Sequence, residues 1–190
     1  MTVGSVVATL AATAAVVLLV TSTPSAGQLA FVENGRYHHL RTGVEFPVPA
    51  GWSVLTTGQS SGGGEQMYLR DAASPKTYVA VWMKRETNTA AETDAWLELA
   101  VKLKRDQRTG GGVIPGFSFR PESVQHEYIG DHKAVKAVAD FVQGTQQTVE
   151  YFTWVYTERT RVQFDVRGVD PDAASTASRF EEIIQAAKIP

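Results

Sequence analysis

The four histidines of this sequence are the side chains best suited to acid–base or metal chemistry. His38 and His39 are adjacent, so a strand would point them to opposite faces and they could not bind one ion together. His126 and His132 flank a predicted turn, where a hairpin could bring them close to each other and to Glu127 and Asp131. One interpretation is a weak metal site at this hairpin. Ordinary turn and strand histidines are the favoured interpretation, because the tight ligand spacing of a metal motif is missing.

Two glycine-rich loops, at residues 58–64 and 109–112, raise the question of a nucleophile or phosphate site. The serines of the first loop lack the strand–elbow–helix context of a serine nucleophile. Neither loop carries the Gly-Lys-Ser/Thr of a phosphate-binding loop. The sequence has no cysteine, which excludes thiolate nucleophiles, disulfides and sulfur-ligated metal centres. We therefore expect no catalytic residue, no cofactor and no structural or catalytic transition metal.

Two further clusters have both a functional and a structural interpretation. Tyr151, Trp154 and Tyr156 crowd one predicted strand and could stack a ligand on a sheet face, but core and cross-strand packing is favoured. The basic stretch at residues 102–108 is interrupted by Asp106, which is typical of a solvated helix end. Neither cluster by itself predicts a binding site.

Composition and charge indicate an ordinary globular domain. Of the 190 residues, 43% are apolar and 20% are charged. The formal net charge is −2, and the lysines and arginines are spread among acidic residues. We therefore expect no nucleic-acid partner, because the basic field that such binding needs is missing.

The beginning of the chain has the features of an export signal. The first 32 residues carry no charged side chain, residues 6–20 are apolar, and residues 21–27 are small. Cleavage as a secretory signal peptide is the favoured interpretation, although no Lys or Arg precedes the apolar run. A retained membrane anchor at residues 1–20 and an ordinary helix are the alternatives. We divide the chain into a signal peptide or anchor at 1–27 and a single domain at 28–190.

The periodicity of the remaining chain predicts mostly strands. Short turns between neighbouring strands require antiparallel pairing. The segment 77–85 is apolar on both alternating faces, which predicts a central strand covered on both sides. The predicted strands span residues 37–41, 44–48, 52–57, 66–70, 77–85, 123–129, 132–142, 147–157 and 161–167.

The last predicted strand, residues 161–167, has two different faces. Its apolar residues alternate cleanly with Gln163, Asp165 and Arg167. This alternation predicts a sheet with one buried face and one wetter face.

Two amphipathic helices complete the pattern. Thr89 and Glu92 form a capping box that begins a helix over residues 90–107. Asp170 as N-cap and Pro171 at the first helical position begin the closing helix. The predicted apolar stripes are Trp96, Leu99, Ala100 and Leu103 in the first helix, and Phe180, Ile183, Ile184 and Ala187 in the second. Strands with two such helices predict an α+β fold in which helical layers sandwich an antiparallel sheet.

The stretch GVEFPVPAGWSV at residues 43–54 places two prolines and a tryptophan inside a strand-like pattern. Pro47 and Pro49 cannot donate to a β-ladder, so this strand is predicted to lie at an edge or to end there. Trp52 can then pack over the corner as a structural residue. The alternative is a proline-rich ligand for an aromatic groove, which is less common between two apolar strands.

This corner, the late hairpin meander, and the closing FEEII at residues 180–184 before Lys188 resemble the PsbP-like superfamily. The resemblance covers residues 37–189. The superfamily includes the extrinsic photosystem II subunit, nuclear Ran-binding proteins and secreted bacterial domains of unassigned activity. The resemblance implies an α/β/α sandwich and a role in binding or assembly. It carries no functional residue over to this chain.

These observations lead to two functional hypotheses. The first is a secreted or envelope-associated, non-enzymatic binding or assembly domain. Its partner would be a protein or a small ligand, and it would touch a membrane only if residues 1–20 are retained as an anchor. The second is a small extracytoplasmic hydrolase with a site assembled from His126 or His132 and a carboxylate.

The exported protein should begin between Thr23 and Gln28, because the apolar run is followed there by the small residues that suit a signal peptidase. Intact-mass analysis of protein recovered from the cell envelope checks this. A mass that retains residues 1–20 would favour the membrane anchor instead.

Overall fold

The computed structural model describes residues 29–60, 63–111 and 114–190. The predicted signal peptide or anchor lies outside the described residues. Within these ranges, no helix is long and apolar enough to cross a membrane.

Two antiparallel sheets form the β-structure of the described residues. The small sheet has the order β1-β2-β3, with β1 Ala30–Glu33, β2 Arg36–His39 and β3 Glu45–Pro47. The large sheet has the order β4-β5-β6-β11-β10-β9-β7, and β8 also pairs with β9. Its strands are β4 Trp52–Gln59, β5 Glu65–Asp71, β6 Tyr78–Arg85, β7 Ser118–Phe119, β8 Gln125–Ile129, β9 His132–Gln143, β10 Gln146–Tyr156 and β11 Thr160–Gly168.

Two helices lie on opposite faces of the large sheet. Helix α1, Ala90–Asp106, packs on β9 and β10 and continues into a π-helical turn, Gln107–Gly111. Helix α2, Asp172–Gln185, packs on β10 and β11 beside the small sheet. The large sheet is therefore sandwiched between layers, and the predicted α+β architecture is confirmed. The prediction missed β1, which joins β2 through a turn in which Asn34 and Gly35 both have positive φ.

Two apolar cores result, one on each side of the large sheet. The core beneath α2 joins side chains of both sheets with the helix, including Phe46, Phe164 and Phe180. The core beneath α1 includes Leu97 and Trp154. The predicted central position of β6 is confirmed, but only its α2 side is covered by a layer, because α1 lies over β9 and β10 instead.

The predicted beginning of α1 is confirmed, but of its predicted apolar stripe only Ala100 is buried. The Thr89 hydroxyl accepts from the Glu92 backbone N–H at 3.3 Å, and the Thr89 N–H donates to the Glu92 carboxylate at 2.8 Å. The helix buries Leu97 and Ala100 together with Thr93 and Lys104, which lie on a neighbouring stripe. The predicted stripe residues left largely exposed are Trp96 (39%), Leu99 (44%) and Leu103 (41%).

Cation–π packing explains the position of Trp96 outside the core. The Arg161 guanidinium lies 4.3 Å from the centre of the Trp96 ring. The exposed Trp96 ring of α1 therefore contacts a side chain of β11 instead of entering the core. The polar residues Thr93 and Lys104 take the inward positions because of where α1 sits on the sheet. Local periodicity does not contain that information.

The predicted cap of α2 is also wrong by one residue. Pro171 occupies the N-cap position and makes no side-chain cap. The Asp170 carboxylate instead lies 3.5 Å from the Tyr151 hydroxyl and 3.9 Å from the Arg120 guanidinium. Tertiary partners therefore compete successfully with the local cap. The helix still buries Phe180, Ile183 and Ile184, as its predicted stripe requires.

The proline-containing corner has the predicted geometry. β3 ends at Pro47 and is the outer strand of the small sheet. Trp52 begins β4, and its ring stacks on the ring of Phe180 with a centroid separation of 5.6 Å. Phe180 is fully buried, whereas Trp52 is partly exposed.

Replacing Phe180 with Ala should lower the free energy of unfolding by about 3–5 kcal/mol, because the change leaves a cavity in a close-packed core. Trp52→Ala should have a smaller effect, about 2 kcal/mol, because part of this ring already contacts solvent. Urea melts of the three proteins measure both effects. An unchanged midpoint for Trp52→Ala would contradict the structural role of this residue.

Candidate functional site

The structure separates the two histidines of the predicted hairpin. His126 lies opposite Val135 on β9, and His132 lies opposite Ile129 on β8. Alternation along the strands therefore puts the two imidazoles on opposite faces of the hairpin. His126 Nδ1 is 3.7 Å from a Glu98 carboxylate oxygen, but both side chains are more than half exposed. This pair lacks the desolvation that tunes a catalytic acid or base.

Among the described residues, no group of three or more His, Cys, Asp or Glu side chains could hold a metal ion. The expectation that the domain binds no transition metal stays a prediction.

The histidine that does meet both an acid and a hydroxyl is His39. Its Nδ1 is 2.6 Å from the Thr42 hydroxyl, and its Nε2 is 3.2 Å from a Glu65 carboxylate oxygen. The Thr42 backbone N–H also points to Nδ1, at 3.3 Å, so Nδ1 is the acceptor and Nε2 carries the proton toward Glu65. Glu65 is paired on its other side with Arg41.

This His39 network is structural. The side chains of His39 and Glu65 are fully buried, so a substrate cannot reach them. Burial, and then the nearby Arg41 charge, lower the pKa of His39 to about 4, which keeps the ring neutral. The network connects the small sheet to β5 of the large sheet. The Thr42 hydroxyl, the His39 imidazole and the Glu65 carboxylate follow one another as in a catalytic triad, but here they hold two layers of the fold together.

The first glycine-rich loop follows β4 and leads into another strand. Residues 58–62 read GQSSG, which matches the Gly-x-Ser-x-Gly pattern of hydrolases. That pattern requires a strand, a sharp turn and a helix, whereas this loop joins β4 to β5. The Ser60 hydroxyl accepts a hydrogen bond from the Trp82 indole at 2.8 Å. Ser60 therefore positions an aromatic ring.

A cleft opens on the α1 face of the large sheet. The helix covers β9 and β10 and leaves the adjoining part of this face, on β5, β6 and β11, uncovered. The resulting space has a volume of about 530 Å³, within the range of small-molecule sites. Leu103 and Lys104 of the helix and Gln107 and Arg108 of the π-helical turn form one wall.

Strand register builds the floor of this cleft and the positions around it. Cross-strand neighbours on β6, β11 and β10 share a face, because paired residues in antiparallel strands point the same way. The three rows are Tyr78 beside Arg167 and Glu150; Ala80 beside Asp165 and Phe152; and Trp82 beside Gln163 and Trp154. The polar side chains that alternate along β11 thus lie together on the cleft side.

Asp165 is a buried carboxyl at the centre of this floor. It is 6% exposed, and both of its oxygens accept from the Gln163 side-chain amide, at 2.8 and 2.7 Å. Burial raises the pKa of Asp165 to about 6, against the attraction of the nearby Lys104 ammonium. Trp154 donates to the Gln163 carbonyl at 3.0 Å and thereby fixes the orientation of the amide.

Lys104 faces Asp165 from the helix and is 8% exposed. Its ammonium lies 4.6 Å from the centre of the Phe152 ring. Burial lowers the pKa of this ammonium, while the charges of Asp165 and Glu150 oppose that effect. Within residues 29–60, 63–111 and 114–190, no hydrogen bond or ion pair reaches the Lys104 ammonium, so this largely buried side chain presents its charge to the cleft without a polar protein partner.

Glu150 bridges two arginines beside the cleft. Its Oε1 accepts from Arg167 at 2.6 Å and lies 3.5 Å from an Arg108 nitrogen. Its Oε2 is buried and has no hydrogen-bond partner among the residues that the structure describes. Aromatic rings complete the walls. The Arg167 guanidinium lies 5.4 Å from the centre of the Tyr78 ring. Burial raises the pKa of the Tyr156 hydroxyl to about 12.

The sequence pattern indicates several residues of this site but does not predict that they lie together. The alternation of Gln163, Asp165 and Arg167 correctly predicts the more polar face of β11. A polar face does not by itself indicate a cleft. The sequence favours core and cross-strand packing for Trp154 and Tyr156, and the Trp154 side chain is 1% exposed. The signal that could have pointed to Lys104 is its spacing of seven residues from Leu97, which places both on one helix face.

No protein-family model and no curated protein matches this chain. Solved structures do. Cyanobacterial PsbP from Synechocystis sp. PCC 6803 is 14% identical, with a TM-score of 0.59 over 90% of this chain and 99% of its own. The fold is PsbP-like.

A second solved structure, from Bacteroides thetaiotaomicron VPI-5482, is 10% identical with a TM-score of 0.53. The alignment covers 77% of this chain and 45% of that protein, so this chain spans less than half of its length. The structural similarity establishes the PsbP-like fold. Sequence identities this low do not allow any site residue to be transferred to this chain. The predicted resemblance is thus confirmed at the level of the fold.

Replacing Asp165 with Asn should raise the free energy of unfolding relative to wild type, by an amount that grows as the pH rises. The carboxyl has a pKa of about 6 in the folded protein, against an ordinary value of 3.8 for an aspartate of the unfolded chain, so folding raises it. The stability linked to this proton is present below about pH 4 and is lost as the pH rises through 6. Urea melts should show Asp165→Asn gaining about 3 kcal/mol over wild type between about pH 4 and pH 8.

Asp140 is the matched control for this prediction. Its hydrogen bonds from Arg120 lower its pKa, so its carboxylate contributes stability that is lost as the pH falls. Asp140→Asn should therefore lose stability relative to wild type as the pH rises. A difference that runs in the same direction for both substitutions would contradict the assignment of Asp165.

Proposed function

We propose that this protein is a non-enzymatic binding domain that works outside the cytoplasm, and that it binds a small ligand in the cleft beside α1. The observation that carries the proposal is Lys104, a largely buried side chain whose ammonium faces the cleft without a hydrogen-bonding or ionic partner among the described residues. A buried charge is costly unless it is paired. A site that keeps such a charge gains most when a ligand supplies the partner.

The rest of the cleft fits a binding role. A few convergent polar groups lie among aromatic walls, which is the usual composition of a small-molecule site. Sheet residues supply most of the lining, so the site is held by a rigid scaffold. The export signal predicted at residues 1–27 supports a location outside the cytoplasm. A protein partner stays a prediction.

The arrangement of titratable groups supports a non-enzymatic role. The buried His39 network is closed to substrates, and His126 meets Glu98 only on an exposed surface. The cleft itself is lined by the Asp165 carboxyl together with cations and phenols, but the four histidines lie elsewhere. Hydrolysis by His126 or His132 therefore receives no support from the geometry.

A fragment screen tests the proposed site. A panel of neutral, cationic and anionic fragments should contain binders to the wild-type domain by ligand-observed NMR and thermal melts. Gln66→Trp should abolish this binding, because residue 66 lines the cleft and a large ring would fill it. Arg70→Trp is the matched control, because it introduces the same ring on the same face of β5, outside this cleft.

Two results would overturn the proposal. One is a panel without binders, or with binders that Gln66→Trp does not affect. The other is turnover of a chromogenic ester or phosphoester that is lost in His126→Ala or His132→Ala. The second result would place the hydrolase first.

A further inference from the structure

The cleft carries one more cation than anions. Five charged side chains converge at its inner end: three cations, Lys104, Arg108 and Arg167, and two carboxylates, Glu150 and Asp165. If all five are ionised, their sum is a single positive charge. A ligand with one negative charge would neutralise it, whereas a cation would add to it.

The existing pairs leave one donor unmatched. Glu150 is engaged with the two arginines, and Asp165 is held by the amide of Gln163. The Lys104 ammonium makes only an aromatic contact in the part of the chain that the structure describes, although its three N–H groups can donate. Nearby carboxylates attract it without forming an ion pair. The group that completes the site must therefore be an acceptor, and a charged acceptor gives the strongest hydrogen bonds.

The walls specify the other end of the ligand. Tyr78, Trp82 and Tyr156 line the cleft, and the Trp82 ring is held in place by Ser60 on one side. A Cβ on Gly64 would lie 2.6 Å from the Trp82 ring, so the ring packs directly against this glycine. Fixed aromatic rings offer flat apolar surface to a planar group.

We infer that the cleft binds a singly charged organic anion, such as a carboxylate, attached to a planar apolar body. The anionic group pairs with Lys104 at the inner end, and the planar body packs against Tyr78, Trp82 and Tyr156. The inference rests on the proposed function and specifies the chemistry of its ligand.

A pair of matched probes tests the charge requirement. Isothermal titration of the mature domain, residues 28–190, should show 2-naphthoate binding at least tenfold more tightly than the neutral isostere 2-naphthamide. The preference should disappear in Lys104→Met, because the ammonium is removed while a chain of similar length keeps the helix packed. Lys102→Met is the matched control: its ammonium is exposed and pairs with Asp106, and its preference should equal that of wild type.

Thermal melts without ligand show whether each variant is folded. Lys104→Met should melt at or above the wild-type temperature, because it removes a buried charge without a polar partner. Should it unfold, Lys104→Gln replaces it in the same titration.

Equal affinity for the two probes, tighter binding of 2-naphthylmethylammonium, a preference that survives in both Lys104 variants, or no binding of any naphthalene probe would overturn the inference. If fragments from the mixed panel still bind in the cleft, the proposed function stands and only the ligand class is wrong. If the panel also contains no binder, the proposed function itself fails.

Discussion

The pairing of β6 with β11 is the constraint on which the rest of the molecule depends. It joins the strands that precede α1 to the meander that follows it, with a continuous register from Tyr78 beside Arg167 to Arg85 beside Thr160. Both strands are central in the sheet, so one side of each is buried beneath the α2 layer, whereas the other side forms the floor of the cleft. The same register sets Val79 and Val81 into the core beneath α2 and turns Ala80 and Trp82 toward the other face.

The cleft follows from unequal coverage of that sheet. On one face, α2 and the small sheet together cover the central strands with apolar side chains. On the other face, a single helix lies over β9 and β10, and the neighbouring strands remain open. A sheet of this width is broader than one helix, so a groove at the helix edge is the natural consequence. Aromatic, polar and charged side chains line most of that groove, and Leu103 contributes an aliphatic part of the helix wall.

Two clusters of buried charge in this protein have different physical roles. In the His39 network, the Thr42 hydroxyl, the imidazole and the Glu65 carboxylate are buried between layers, and the partly exposed Arg41 guanidinium pairs with the carboxylate. In the cleft, Glu150 is shared by two arginines and Lys104 retains unused donors. A charge network enclosed between layers stabilises one packing arrangement, whereas charged groups beside open space are accessible to a ligand.

Periodicity and turn chemistry in the sequence determined the class of fold and most of its elements. Alternation defined β6 and β11, the Thr89 capping box defined the start of α1, and the prolines defined the end of β3, because each signal acts within a few residues. The first hairpin was also within reach, since Asn34-Gly35 is a strong turn signal.

Tertiary structure alone decided which face of α1 is buried, which carboxylate meets His39, and where the cleft lies. Trp96 and Leu97 are both apolar, and only the docking angle of the helix selects between them. Glu65 and His39 are far apart in sequence, so no local pattern links them. The site between Lys104 and Asp165 likewise depends on a helix and a strand whose contact is set by the whole sheet. Local sequence fixes the conformation of each segment, but long-range packing fixes its neighbours.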